Sequence, residues 1–220
     1  FNTQQNGDDK LNITTIGLST NTYIRGISWG GTKWDWSQGD QTTSKKLTYF
    51  FGPATSVNDP NYPGGVESLG GRIELVEWTQ DEINAMENGL RKWTQLMNMP
   101  IQRVDNFDDA NLKLYASTNT STGFLAAQYG PHSSPYSGQG IYIRRSGNVW
   151  SSSLNEGGFG FAVILHELGH AIGLSHPHDN GGGSTIFPGV SSNADVGSNR
   201  LNQTVYTIMS YIDTETDFNP

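Results

Sequence analysis

Residues 166 to 176 read "HELGHAIGLSH": three of the chain's five histidines, with a glutamate beside the first. Phe161, Ile164, Leu165, Leu168 and Ile172 recur at three- and four-residue steps around it, which predicts a helix with one apolar face. His166 and His170 stand four apart, so their imidazoles leave the same side of that helix one turn apart. Neutral imidazole is a good zinc ligand, and this separation suits two corners of a tetrahedron. Glu167 lies beside the first ligand, placed to take a proton from a water at the metal rather than to bind the metal. Gly173 accepts the left-handed conformation that ends a helix. A turn there swings the chain back, and His176 supplies a third nitrogen. Drawn at random from this composition, the pattern H-E-x-x-H-x-x-G-x-x-H is expected about 10⁻⁵ times in such a chain, so a chance match is set aside. His132 and His178 stand in no such pattern and are read as ordinary packed or surface histidines.

The rest of the composition narrows the setting. The 220 residues suffice for one or two domains with a real core. Lys plus Arg is 13 against 21 for Asp plus Glu, a formal charge of −8, which argues against nucleic acid or an anionic membrane as the main partner. With no cysteine, disulfides, thiolate metal sites and cysteine nucleophiles are excluded, and the composition fits a secreted bacterial protein. No apolar run approaches the ~18 residues of a membrane span. The chain begins at Phe1, so any leader is expected to have been removed or left out. The 27 glycines and 15% charged residues describe a loop-rich globular surface.

Upstream, residues 1–46 are polar and Gly-rich and read as a coil that packs on the body through Trp29, Trp34 and Trp36. Leu47–Phe51 reads as a strand, and residues 52–71 as a long loop. Thr79 and Glu82 form a capping box, followed by a core stripe of Ile83, Met86, Leu90, Trp93 and Met97. Pro100 lies beyond that helix. Ile101–Val104, Leu112–Tyr115, Phe124–Tyr129 and Ile141–Ile143 are further strands, and residues 117–123 a loop. Downstream, residues 207–211 read "TIMSY".

The long histidine motif and this methionine resemble the metzincin zinc proteases, in which a tight turn holds a methionine beneath the metal. Met209 matches it. Two details resemble the serralysin branch: Pro177 after the third histidine, giving "SHP", and Tyr211 two residues after Met209, giving "MSY". Weaker likenesses are "GTKWDW" ahead of "LTYFF", and the capped helix followed by "ANLKLY". Together they span residues 24 to 212. The resemblance implies an α/β (α+β) zincin fold: a twisted, mostly parallel five-stranded sheet with an antiparallel edge strand, two long helices, and the second helix carrying the metal. It implies one catalytic Zn²⁺ on His166, His170 and His176, and Glu167 as general base. Tyr211 is implied to be a fourth ligand at rest that moves to stabilise the oxyanion. The strand near Phe124–Tyr129 matches the family's edge strand, so Ala126 and Ala127 are implied to bind an extended peptide by strand addition.

Serralysins continue past this point into a final helix and a calcium-binding repeat domain of the G-G-x-G-x-D-x type. This chain stops at Pro220 and contains no such repeat, so no residue here is assigned to calcium. Either the chain is a piece of a longer one, or the remainder is a separate chain, or the final helix is absent. The expectation is one protease domain over 1–220: an irregular segment 1–46, an upper subdomain 47–173 and a truncated lower subdomain 174–220. The expected activity is zinc-dependent endopeptidase action on protein or peptide substrates outside a bacterial cell, by a monomer. The alternative is a catalytically inactive zinc-binding, peptide-binding or adhesive module of a larger secreted protein.

Overall fold

The computed structural model describes residues 10–15, 17–35, 45–56, 58–59, 63–64, 73–118, 123–132, 136–144, 150 and 153–213. In chain order its elements are β1 (Ile13–Thr15), α1 (Thr22–Gly26), β2 (Thr32–Trp34), β3 (Leu47–Phe51), β4 (Leu75–Val76), α2 (Gln80–Met97), β5 (Ile101–Arg103), β6 (Leu112–Ser117), β7 (Ala126–Gln128), β8 (Gln139–Ile143) and α3 (Phe159–Ile172). A one-turn 3₁₀ helix follows at Gly181–Gly183.

The strands expected from the sequence assemble into a twisted sheet in the order β5-β3-β6-β8-β7. β3 runs parallel to β5 and β6, and β6 parallel to β8. β7 runs antiparallel to β8 at the edge. The short β4 pairs antiparallel with the end of β6, Leu75 opposite Ser117. This is the metzincin architecture, a mixed sheet with long helices, the last of which carries the histidine motif.

Side-chain alternation divides the sheet into two faces. Leu112, Leu114 and Tyr142 face the helices and join Met86, Leu90, Ile164 and Leu168 in the main core. Tyr115, Ile141 and Ile143 face the other way and pack with Ile73 and Leu75. The two long helices meet where α2 offers Gly89: a Cβ there would lie 2.9 Å from Ile164 and from Leu168 of α3. The capping box closes as predicted. The Thr79 amide donates to Oε2 of Glu82 at 2.8 Å, and the Glu82 amide donates to Oγ1 of Thr79 at 3.3 Å. Asn98 ends α2 in the left-handed conformation, ahead of Pro100.

Glu82 does more than cap. Arg144, at the end of β8, donates to both its oxygens at 2.6 Å, and Nε1 of Trp150 donates to Oε1 at 2.7 Å. Burial alone would push the Glu82 carboxyl up, but the bonds from Arg144, Thr79 and Trp150 together hold it below 4.5.

The N-terminal segment differs from the expected coil. β1 and β2 pair as an antiparallel ribbon, with Ile13 opposite Trp34. Asn21 caps the short α1 by accepting from the amides of Tyr23 and Ile24. Trp34 is buried and Trp29 half-buried, as packing anchors should be. Trp36, the greater part of the 117–123 loop and residues 214–220 lie outside the described residues. No described helix is long and apolar enough to cross a membrane.

Candidate metal centre

Helix α3 has no side-chain cap at Gly158. Ser153 stands in, its Oγ accepting from the Gly160 amide at 2.9 Å and its carbonyl from the Phe161 amide at 3.0 Å. The helix ends at Gly173, where φ is 108°. The amides of Gly173 and Leu174 then donate back to His170 and Gly169 at 2.9 Å, and the chain reverses toward the helix.

That reversal is braced from the N-terminal segment. The Ser175 amide donates to the Ile27 carbonyl at 3.0 Å, and the Trp29 amide to the Gly173 carbonyl at 2.8 Å. Nε1 of Trp34 donates to the Ala171 carbonyl at 2.8 Å, satisfying one of the carbonyls a helix leaves open at its C-terminus.

The three histidines converge. Nε2 of His176 lies 3.0 Å from Nε2 of His166 and 3.0 Å from Nε2 of His170. Each ring is held from behind at 2.8 Å: Nδ1 of His166 donates to the Ile208 carbonyl, Nδ1 of His170 to the Leu174 carbonyl, and Nδ1 of His176 to Oδ2 of Asp179. None of these acceptors has a proton to give, so each Nδ1 carries a proton and each ring turns its Nε2 toward the shared point. Burial pushes His166 down to about 4 and His170 down to about 3, so both are neutral at pH 7 and their Nε2 atoms are bare lone pairs. Those two lone pairs and the Nε2 of His176, aimed at one point, are the donor set of a shared cation. A tetrahedral zinc with bonds of about 2.0–2.1 Å sets its nitrogens roughly 3.3 Å apart, near the separation found. The outward tethers are the hydrogen bonds that orient metal-bound histidines. The residues therefore fit a single zinc ion.

Asp179 is itself fixed. Its Oδ1 accepts from the Gly181 amide at 2.8 Å, and the bond from His176 holds its carboxyl down at about 2. His176, His178 and Asp179 also bring ligand atoms within 4.8 Å of one another. The His176 and His178 rings are stacked, however, 10° apart with centroids at 4.8 Å. No single ion lies in both ring planes, so that trio is not a second centre.

Glu167 is buried on the same helix and faces a cleft of about 430 Å³. Burial pushes its carboxyl up to about 8. The cleft runs between residues 123–126 above, α3 behind, and Thr204, Ile208, Ser210, Tyr211 and Asp213 below. Tyr211 stands over the histidines, its ring 5.4 Å from that of His166 and 4.8 Å from that of His176. Lost hydration and the carboxylates of Glu167 and Asp179 raise its phenol to about 12, so it keeps its proton at neutral pH.

Met209 lies beneath the cluster, fully buried. It sits in a turn closed by the Ser210 amide donating to the Thr207 carbonyl at 3.1 Å. Gly169 leaves room for its sulfur, which a Cβ at that position would meet at 2.5 Å. The same turn delivers the Ile208 carbonyl to His166. Ala126 lines the cleft. Ala127 packs on the far face of the sheet with Ile141 and Ile143. The bonds from Ile143 to Leu125 and from Tyr129 to Gln139 fix the ladder, so by alternation the amide and carbonyl of Ala127 are spent on β8 and those of Ala126 face the open edge.

Sequence reasoning passed over four contributors. Asp179 had a readable signal, three residues past a ligand and followed by glycines. The Ile208 and Leu174 carbonyls had none, and His178 stood outside any pattern, yet its ring lies against both His176 and Tyr211.

Fold and triad together are of the metzincin type and support a metzincin metalloprotease. The sequence relatives agree at that level. Serralysin B of Dickeya chrysanthemi is 28% identical over 222 aligned residues, covering 96% of this chain and 42% of that protein. The serralysin of Photorhabdus sp. (strain Az29) is 25% identical over 194 residues, covering 86% of this chain and 37% of that one. The chain thus spans about two fifths of the length of these curated relatives. No family model matches it. Among solved structures, high choriolytic enzyme 1, a hatching-enzyme zinc protease of the medaka Oryzias latipes, is similar with a TM-score of 0.31 at 16% identity, over 66% of this chain and 53% of that one.

Proposed function

We propose that this chain is a serralysin-like zinc endopeptidase that cleaves extended protein substrates outside a bacterial cell. The observation that carries the reading is the convergence of three imidazole Nε2 atoms beside a buried carboxyl at an open cleft. His166, His170 and His176 would hold one zinc ion. When bound, zinc supplies a Lewis acid that makes water acidic near neutral pH and polarises a carbonyl.

The chain's own groups do the rest. Glu167 takes the proton from the attacking water and passes it to the departing amine, a role typically worth 10²–10⁴ in rate. Its high intrinsic value makes its ionisation answer to the charge beside it. Tyr211 would be a fourth ligand when zinc is bound, and its protonated phenol would serve as a hydrogen-bond donor toward the developing oxyanion, which its raised pKa suits. Ala126 offers its outward amide and carbonyl to an extended peptide. The division into an upper subdomain, 47–173, and a lower one from 174 onward belongs to the same reading, and it is supported by a cleft lined by residues 123–126 and α3 on one side and by Thr204, Ile208, Ser210, Tyr211 and Asp213 on the other. The likeness to bacterial serralysins supports export.

The test is casein cleavage by this chain, with and without 1,10-phenanthroline, followed by zinc. Cleavage that the chelator stops and zinc restores is the expected result. A folded sample that retains one zinc and cleaves nothing would instead be a zinc- or peptide-binding module.

A further inference from the structure

The His178 ring is buried between two groups of the site. It stacks on His176 and lies against Tyr211, with centroids 4.6 Å apart at 53°. Its Nδ1 is buried with no hydrogen-bond partner among the described residues, and so is Oδ1 of Asn202. Asn202 is fully buried and donates its amide nitrogen to the Asp195 carbonyl at 2.8 Å, which leaves its oxygen as the free acceptor. Burial lowers the His178 imidazole, and the Asn202 side chain acts in the opposite sense. A buried ring nitrogen and a buried amide oxygen, each without a partner, are costly unless the two serve each other.

Tyr211 needs a wall. It is 57% exposed, and the rings around it are His166, His176 and His178. The first two are committed to the metal by their own Nδ1 tethers. His178 has no such tether: its Nδ1 is without a partner among the described residues, and its Nε2 lies 4.0 Å from Oδ2 of Asp179.

We propose that His178 is a positioning residue for Tyr211: Asn202 holds the imidazole, and the imidazole holds the phenol over the histidine cluster. This rests on the role of Tyr211 given above. A donor displaced by about 1 Å loses much of its effect on a transition state, which makes such a wall worth keeping.

The test combines a double-mutant cycle with a spectroscopic readout of the phenol. Copper(II) in place of zinc reports a nearby phenolate through a visible charge-transfer band. The parent should show that band, and Tyr211→Phe should lose it and lower kcat about 10²-fold. His178→Ala should keep zinc, weaken the band and lower kcat about tenfold with KM little changed. Asn202→Leu should act in the same direction more weakly, and His178→Phe, which keeps a stacking ring, should recover part of the loss. In the Tyr211→Phe background, His178→Ala should cost less than about twofold. An equal loss in both backgrounds, or an unchanged band in His178→Ala, would overturn the proposal and leave Tyr211 in place. A parent with no band, together with a fully active Tyr211→Phe, would instead remove the role of Tyr211 and the proposal with it.

Discussion

Two buried polar clusters in this fold are built to opposite rules. Around Glu82, one carboxylate meets four donors: Nε and Nη2 of Arg144, Nε1 of Trp150 and the Thr79 amide, all within 2.8 Å. Charge and hydrogen bonds close there without help. Around His176, three imidazole nitrogens meet at 3.0 Å, two of them bare lone pairs. The first cluster is finished by protein alone and is structural. The second has the donor set of a cation site. Each of its rings is braced from behind through Nδ1, so a fold that aims all three Nε2 atoms at one point is arranged for something that arrives.

The largest test of the contrast strikes beside the open cluster. Glu167→Ala should lower peptide hydrolysis by about 10²–10⁴, while zinc content measured by atomic absorption stays at one per chain. A near-normal rate would remove Glu167 from the chemistry.

Glu82→Ala strikes the closed cluster. It leaves the part-buried Arg144 with the Glu77 carbonyl as its remaining partner and takes the acceptor from Nε1 of Trp150, which should cost about 1–3 kcal/mol in denaturant unfolding. Stability should also follow pH in a stated sense. The folded Glu82 pKa lies below its ordinary 4.5, so its contribution is complete above that value and is lost as pH falls through the folded pKa. The gap in melting temperature between parent and Glu82→Gln should therefore be widest near neutrality and shrink in acid. A gap that does not change with pH would mean that the pair stabilises by packing rather than by charge.

Asp179 belongs to the open cluster but is not a ligand in it. Asp179→Ala frees Nδ1 of His176 and should weaken zinc binding about 10- to 100-fold, read by competition with a chelating dye. Asp179→Asn keeps an acceptor and should fall between the variant and the parent.

The comparison also marks what the sequence could tell. Relations within one or two helical turns were legible: His166 with His170, Gly173 ahead of His176, and Thr79 with Glu82 are fixed by local geometry. The strands were legible as buried runs. The partners that complete each cluster were not. Arg144 and Trp150 reach Glu82 from 62 and 68 positions away, and Trp34 reaches Ala171 across 137. Nothing in a side chain's neighbours along the chain encodes such a meeting. The Ile208 and Leu174 carbonyls leave no trace at all, because every residue has one. The ribbon of β1 and β2 was missed for a related reason: each strand is three residues long, too short to show alternation.

Gly173 is where local and long-range control meet, so the smallest expected effect is also the most discriminating. At φ 108° an alanine is strained, and its Cβ would meet nothing nearer than Pro131 at 3.4 Å, so the penalty is conformational and should be about 1–2 kcal/mol. Gly173→Ala should lower the melting temperature of the metal-free protein by several degrees. If the turn also places His176, zinc binds the variant less tightly, and linkage then requires the gap from the parent to grow when zinc is present. The growth must equal the change in zinc affinity measured separately. Glu82→Gln should show the same gap with and without zinc, because its cluster is closed. Equal gaps for both variants would mean that the turn stabilises the fold without setting the third ligand, and that the brace from Ile27 and Trp29 places His176 alone.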